Sequence, residues 1–104
     1  MQLFEIHNAT LRWMDCDDMR PWVIVDMSLA HEGVVGCFPI SGECYFGNCF
    51  FVDCSHRDFV YTGLTKSCYV HDIHVIDVPV KAFKSRRGEF KDGLLVEFRE
   101  HTGV

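Results

Sequence analysis

Six histidines are the groups of this chain that can exchange a proton near neutral pH. Two of them, His71 and His74, flank Asp72. On a regular strand, positions i and i+3 point to opposite faces, so those two rings do not chelate one metal. Asp72 and His74 share a face and form a candidate acid/base pair. The competing reading is that both are surface residues of an outer strand. Cys54-Ser55-His56 hints at metal or nucleophile chemistry, but the Cys and His spacings are not those of a zinc site. Lys81, Lys84, Arg86 and Arg87 form the one basic cluster. It either tracks a single-stranded nucleic-acid backbone beside exposed rings such as Trp13, Trp22 or Tyr61, or is the solvated face of a helix.

The chain that must position these groups has 104 residues, the length of a single domain. Nine Phe, two Trp and three Tyr supply enough bulk for a core without staples. No apolar run is long enough for a membrane span. Residues 1–7 have neither the basic start nor the apolar stretch of an export signal, so a cytoplasmic location is expected. The six cysteines (16, 37, 44, 49, 54 and 68) contain no C-x-x-C and sit mostly in apolar runs. They read as free, buried thiols rather than disulfides or metal ligands. No metal or other cofactor is expected. The net charge of -5 is uneven: residues 1–58 carry nine acids and three bases, residues 59–104 six acids and seven bases. An acidic chain touches nucleic acid only through a local basic site.

Apolar patterning predicts a β-rich chain. Residues 2–7 and 9–13 read as strand with a short break, and Met14–Met19 as an acidic, solvated loop. Pro21–Asp26 and Val34–Ile40 are buried strands, joined by a connection at Met27–Gly33 with room for one helical turn. Ser41-Gly42 turns the chain. Cys44–Cys54 is aromatic and β-rich, bent at Gly47-Asn48. Phe59–Tyr61 reads as short and extended. Ser67–His71 and Ile73–Val78 are two strands or one kinked strand. Pro79–Arg87 reads as a short helix stopped by Gly88. Phe90, Leu94, Leu95 and Phe98 then fall on one face of a helix over residues 90–101, ended by Gly103. Many short strands with one packing helix point to a mainly β (β-rich α+β) fold, a small SH3-like barrel with a C-terminal helix.

Several segments, taken in order, resemble the MazF/PemK-type toxin family. Arg20-Pro21-Trp22-Val23-Ile24-Val25 is similar to its R-P-x-V-I-x strand. Phe38-Pro39-Ile40-Ser41 resembles its P-I-T/S strand end. The run Thr62–Val70 resembles G-L-x-K-x-S-x-V, and Ile73–Asp77 stands where the family has a strand like I-R-x-x-D. Gly88-Glu89-Phe90 precedes the terminal helix as the family's G-x-L does. Together these segments cover most of residues 20–103. The family's N-terminal R-G-D is absent, and His74 replaces a common Arg.

The resemblance implies a toxin–antitoxin endoribonuclease that cuts single-stranded RNA without metal, using the RNA's own 2′-hydroxyl. It implies an acidic antitoxin as partner, and a homodimer. By family position Arg20 and Ser41 are the catalytic pair. A guanidinium forks onto two phosphate oxygens and a hydroxyl supplies one directed hydrogen bond. Because Arg is almost never deprotonated, Arg20 suits charge stabilisation better than base chemistry. Asp72 and His74 complete the candidate catalytic set, and Lys81, Lys84, Arg86, Arg87 and Trp22 the candidate RNA contacts. The alternative is a non-catalytic barrel that binds a protein or peptide.

Overall fold

The computed structural model describes residues 1–104. Seven strands form one antiparallel, strongly bent sheet: β1 (Glu5–Thr10), β2 (Met19–Asp26), β3 (Val34–Ser41), β4 (Phe50–Val52), β5 (Cys68–Val70), β6 (Ile76–Pro79) and β7 (Phe83–Glu89). A single helix, α1 (Asp92–Thr102), follows. The strand order is β4-β5-β3-β2-β1-β7, with β6 also pairing β3. The expected β-rich fold with a C-terminal helix is therefore the observed one.

The central strands are buried on both faces, which explains their near-continuous apolar runs. Val23, Val25, Phe38 and Ile40 face one cluster with Ile6, Phe50, Phe90, Leu94 and Phe98. Trp22, Ile24, Val35 and Cys37 face the other, with Ala9 and Val78. α1 covers the first cluster. Its Phe98 stacks on Phe90 at 4.6 Å between centroids and meets Phe50 edge-on at 5.5 Å. The Asp58 carboxylate accepts the Gly93 N–H at 2.9 Å, so a residue 35 positions upstream caps the helix.

β3 is the strand that organises the site. Its first half, Val34–Cys37, pairs with β6, and its end, Ile40–Ser41, pairs with β5. Pro39 lies at the change of partner, where its missing N–H costs no ladder bond. Its carbonyl accepts the His71 N–H at 2.9 Å. The backbone from His71 to Val75 thus leaves regular pairing to cross between β5 and β6.

Four expectations are corrected. Pro79–Arg87 is not a helix but a 3-10 turn at Val80–Ala82 followed by β7, which pairs with β1. Edge pairing outweighs the helix preference of Lys and Arg, since propensity is a weak prior against tertiary context. Gly88 is therefore no helix stop: a Cβ there would come within 2.2 Å of the Tyr61 carbonyl oxygen. Phe59–Tyr61 is not extended but lies in a 3-10 turn over Phe59–Thr62, with the Thr62 hydroxyl donating to the Phe59 carbonyl at 2.7 Å. Between Cys44 and Cys54 only Phe50–Val52 is strand. Finally, Cys44 and Cys49 are joined by a disulfide, while Cys16, Cys37, Cys54 and Cys68 are free. The thiols of Cys37 and Cys68 match the expected buried type: burial pushes them up to about 12 and about 11.

Candidate functional site

Pairing of β2 with β3 sets Trp22 opposite Pro39. Two residues further along the same register, Arg20 stands opposite Ser41. Strand alternation puts Arg20, Trp22, Pro39 and Ser41 on one face, away from the helix. Trp22 is 1% exposed and belongs to the second core cluster, which removes it from the candidate RNA contacts. Arg20 and Ser41, at the ends of their strands, line a cavity of about 540 Å³ together with Trp13, Tyr45 and Lys66.

Trp13 reaches this site through a tight hairpin. Its N–H donates to the Cys16 carbonyl at 2.9 Å and the Cys16 N–H returns a bond at 3.0 Å. Met14 and Asp15 between them have φ of 54° and 56°, the geometry of a two-residue turn with both centres left-handed. The acidic loop expected at Met14–Met19 thus contains a structured turn. The Trp13 ring lies 4.9 Å from the Arg20 guanidinium carbon, a cation–π contact. Arg20 Nε is buried and has no hydrogen-bond partner, so one donor of the fork is unspent.

His71 completes the arrangement. Its Nε2 lies 2.7 Å from Ser41 Oγ and 3.0 Å from the Glu43 carbonyl oxygen. Ser41 Oγ itself donates to that carbonyl at 2.7 Å. A carbonyl oxygen only accepts, so the proton of neutral His71 sits on Nε2. The Nδ1 lone pair faces Cys49 Sγ at 3.4 Å. The ring is 3% exposed and lies among Trp13 at 4.8 Å, Tyr45 at 5.6 Å and Phe46 at 6.0 Å between centroids. Burial holds His71 below its ordinary 6.5, aided by the Arg20 charge and opposed by the Glu43 carbonyl and by Asp72. The imidazole is therefore neutral at pH 7.

The other predicted residues are more dispersed. Asp72 and His74 form no pair, because residues 71–75 are not a regular strand and alternation does not apply. Asp72 faces His101 of α1 at 3.7 Å. His74 lies on the far side of Trp13 and His71, in a second cavity with Phe46, Ile73 and Ile76. The basic cluster is also divided. Arg87 reaches a small cavity that shares Pro21, Ile40, Ser41, Gly42 and Lys66 with the main one. Its guanidinium donates to the Gly63 carbonyl at 3.0 and 3.2 Å. Arg86 is ion-paired with Glu5 and Glu89, each at 3.3 Å. Lys84 is exposed on β7, and Lys81 lies with Glu32 and Pro79 at a separate cavity.

Sequence reading placed no role on His71 or Lys66, and missed the contribution of Tyr45 and Phe46. The available signal was Pro39: a proline inside a central strand marks a break in pairing, and His71 fills that break. No three His, Cys, Asp or Glu side chains converge as a ligand set for a metal ion.

A curled β-rich sheet with a single C-terminal helix, and a groove at the β2–β3 strand ends lined by Arg20, Lys66 and Asp18, bring the chain to its class: the fold is that of MazF-type toxins. Toxin MazF-mt6 of Mycobacterium tuberculosis shares it with a TM-score of 0.68 at 20% identity, over 95% of this chain and 92% of that one. An endoribonuclease in complex with its cognate antitoxin, from a mycobacterial species, shares it with a TM-score of 0.70 at 13% identity, over 99% and 91%. No protein-family model matches the sequence, and no curated protein matches it. No helix is long and apolar enough to cross a membrane.

Proposed function

We propose that this chain is a toxin-type endoribonuclease that cuts single-stranded RNA without a metal ion. The observation that carries the reading is that Arg20 and Ser41 line one groove, while His71, which faces the neighbouring cavity, reaches Ser41 Oγ from behind it. In-line cleavage begins when the 2′-oxygen loses its proton and attacks the adjacent phosphorus. The 5′-oxygen then leaves and takes a proton, giving a 2′,3′-cyclic phosphate and a 5′-hydroxyl. Arg20, which lines the groove, offers a fixed positive charge to the phosphorane oxygens. His71, linked to the groove through Ser41 Oγ, is the group suited to carry protons. Lys66 and Arg87 extend positive charge along the shared wall, where flanking phosphates would lie. Trp13 offers a face for a base. Asp72 and His74 are left with supporting rather than chemical roles, since neither bonds to the other or to Ser41.

The wider reading follows the resemblance: one domain, located in the cytoplasm and paired as a homodimer. An acidic antitoxin is its partner, laid along the same groove beside Arg20 and Lys66. Purified protein incubated with unstructured RNA in a metal chelator tests the core of the proposal. Fragments ending in cyclic phosphate, absent with Arg20→Ala, are expected. Intact RNA after prolonged incubation with the fully reduced and with the oxidised protein would falsify it.

A further inference from the structure

The disulfide between Cys44 and Cys49 closes the loop that carries Tyr45 and Phe46 onto His71. Cys49 Sγ touches His71 Nδ1, and the Glu43 carbonyl, next to Cys44, accepts from Nε2. The same loop thus accepts a hydrogen bond from one ring nitrogen of His71 and lies against the other. Its exit is anchored: the His101 ring contacts the Asn48 carbonyl through Nε2 at 3.0 Å, and β4 begins at Phe50. Its entry, from Gly42 to Phe46, is exposed, and is held by the disulfide together with the bonds to the Glu43 carbonyl and the contacts of Tyr45 and Phe46 with His71.

We infer that Cys44–Cys49 is a reversible thiol–disulfide site that keeps this loop shut over the Arg20–Ser41–His71 groove, and that reduction by a dithiol opens it. The inference rests on the ribonuclease reading for its consequence, not for the movement itself. A substrate hydroxyl cannot reach Nε2 while Glu43 and Ser41 occupy it beneath Tyr45. In the chemistry, a thiolate of the dithiol attacks Cys44 Sγ, the exposed end. The sulfur–sulfur bond breaks and Cys49 leaves as thiolate, then takes a proton from solvent. The second thiol of the reductant displaces Cys44 and closes a cyclic disulfide. Two electrons and two protons pass to the protein. The freed Cys49 thiol then donates to Nδ1, while the Cys44–Phe46 limb lifts away with the Glu43 carbonyl. Exposed disulfides are the readily reduced kind, and inside cells they more often sense redox state than staple a fold.

The test compares the oxidised protein, the same protein treated with dithiothreitol, and a Cys44→Ser/Cys49→Ser variant. Alkylation followed by mass measurement should find two more labelled thiols after reduction. Amide exchange at residues 43–46 should be at least about tenfold faster in the reduced protein and in the double variant. RNA cleavage should rise by about tenfold or more on reduction, with the double variant fast in either condition. Failure to form the disulfide under mild oxidation overturns the inference. So do equal exchange rates in all three samples, or faster cleavage by the oxidised form. Faster exchange without cleavage in any sample upholds the loop opening and sinks the ribonuclease reading instead.

Discussion

Ser41 Oγ and His71 Nε2 lie 2.7 Å apart across 30 residues of chain. The contact exists because β3 exchanges β6 for β5 at Pro39, which lets the His71 backbone dock on the Pro39 carbonyl. It joins a strand-end hydroxyl, facing the groove, to a buried imidazole behind it. Removing the two partners should therefore have unequal effects. His71→Ala should lower the cleavage rate by about 10²-fold or more, as loss of a proton carrier does. Ser41→Ala removes two hydrogen bonds, to the Glu43 carbonyl and to His71, each worth about 1 kcal/mol, and should cost about thirtyfold at most. Single-turnover rates on one short RNA check both. A smaller loss from His71→Ala than from Ser41→Ala would reverse the assigned roles.

Arg20 should act through geometry as well as charge. Arg20→Ala should lower kcat by about 10²–10³-fold, the usual cost of losing a preorganised transition-state donor. Arg20→Lys should recover little of it, because an ammonium cannot reproduce the fork or the stacking on Trp13. Rates at saturating RNA separate these effects from binding. Full activity in the lysine variant would show that point charge alone suffices.

The depressed His71 pKa has a consequence for stability. A neutral imidazole buried among Trp13, Tyr45 and Phe46 must be desolvated to protonate, whereas the unfolded chain protonates at its ordinary 6.5. The unfolded state therefore binds more protons as pH falls below 6.5, and stability drops. Above that pH the contribution is fully present. Arg20 adds to the effect, while the Glu43 carbonyl and Asp72 reduce it. Urea midpoints measured from about pH 8 to about pH 5 should decline for the parent chain. The decline should be shallower with His71→Gln. Parallel curves would place the acid sensitivity in this range at another group.

The two halves of the basic cluster should behave differently toward RNA. Lys66 lies on the groove wall, and Lys84 lies away from both groove cavities. Lys66→Ala should reduce the salt dependence of binding by about 0.7 in the slope of log K against log salt, one single-strand phosphate contact. Lys84→Ala should leave the slope unchanged. Titrations at several salt concentrations with His71→Ala protein, the slower-cutting of the two variants, measure this directly.

Gly88 is a close backbone approach between β7 and the 3-10 turn at Phe59–Thr62. A Cβ there would lie 2.2 Å from the Tyr61 carbonyl oxygen and 2.5 Å from the Thr62 carbonyl carbon. Neither is the yielding end of a flexible side chain. Gly88→Ala should cost about 2 kcal/mol or more in unfolding free energy, the scale of overpacking against fixed neighbours. Denaturant unfolding reads it, and a change within about 0.5 kcal/mol would mean that the turn shifts freely.

The residues legible in the sequence were those whose neighbours along the chain dictate their surroundings. Apolar runs around Val23 and Phe38 determined two central strands, and the spacing of Leu94 and Phe98 determined a helix. Arg20 and Ser41 could be placed because each ends such a strand, and strand ends sit at the rim of a sheet. His71 could not, because its position follows from a change of pairing partner 32 residues upstream. The same holds for the basic segment at Phe83–Glu89: its helical preference yielded to the free edge of β1, which no local pattern reveals. The disulfide likewise depends on where the loop after β3 folds back. Local periodicity depends on which residues alternate or repeat, so the sequence alone determined the core strands, the helix and two groove residues. Which side chains meet across the groove depends on distances between strands, and the tertiary structure alone decided that.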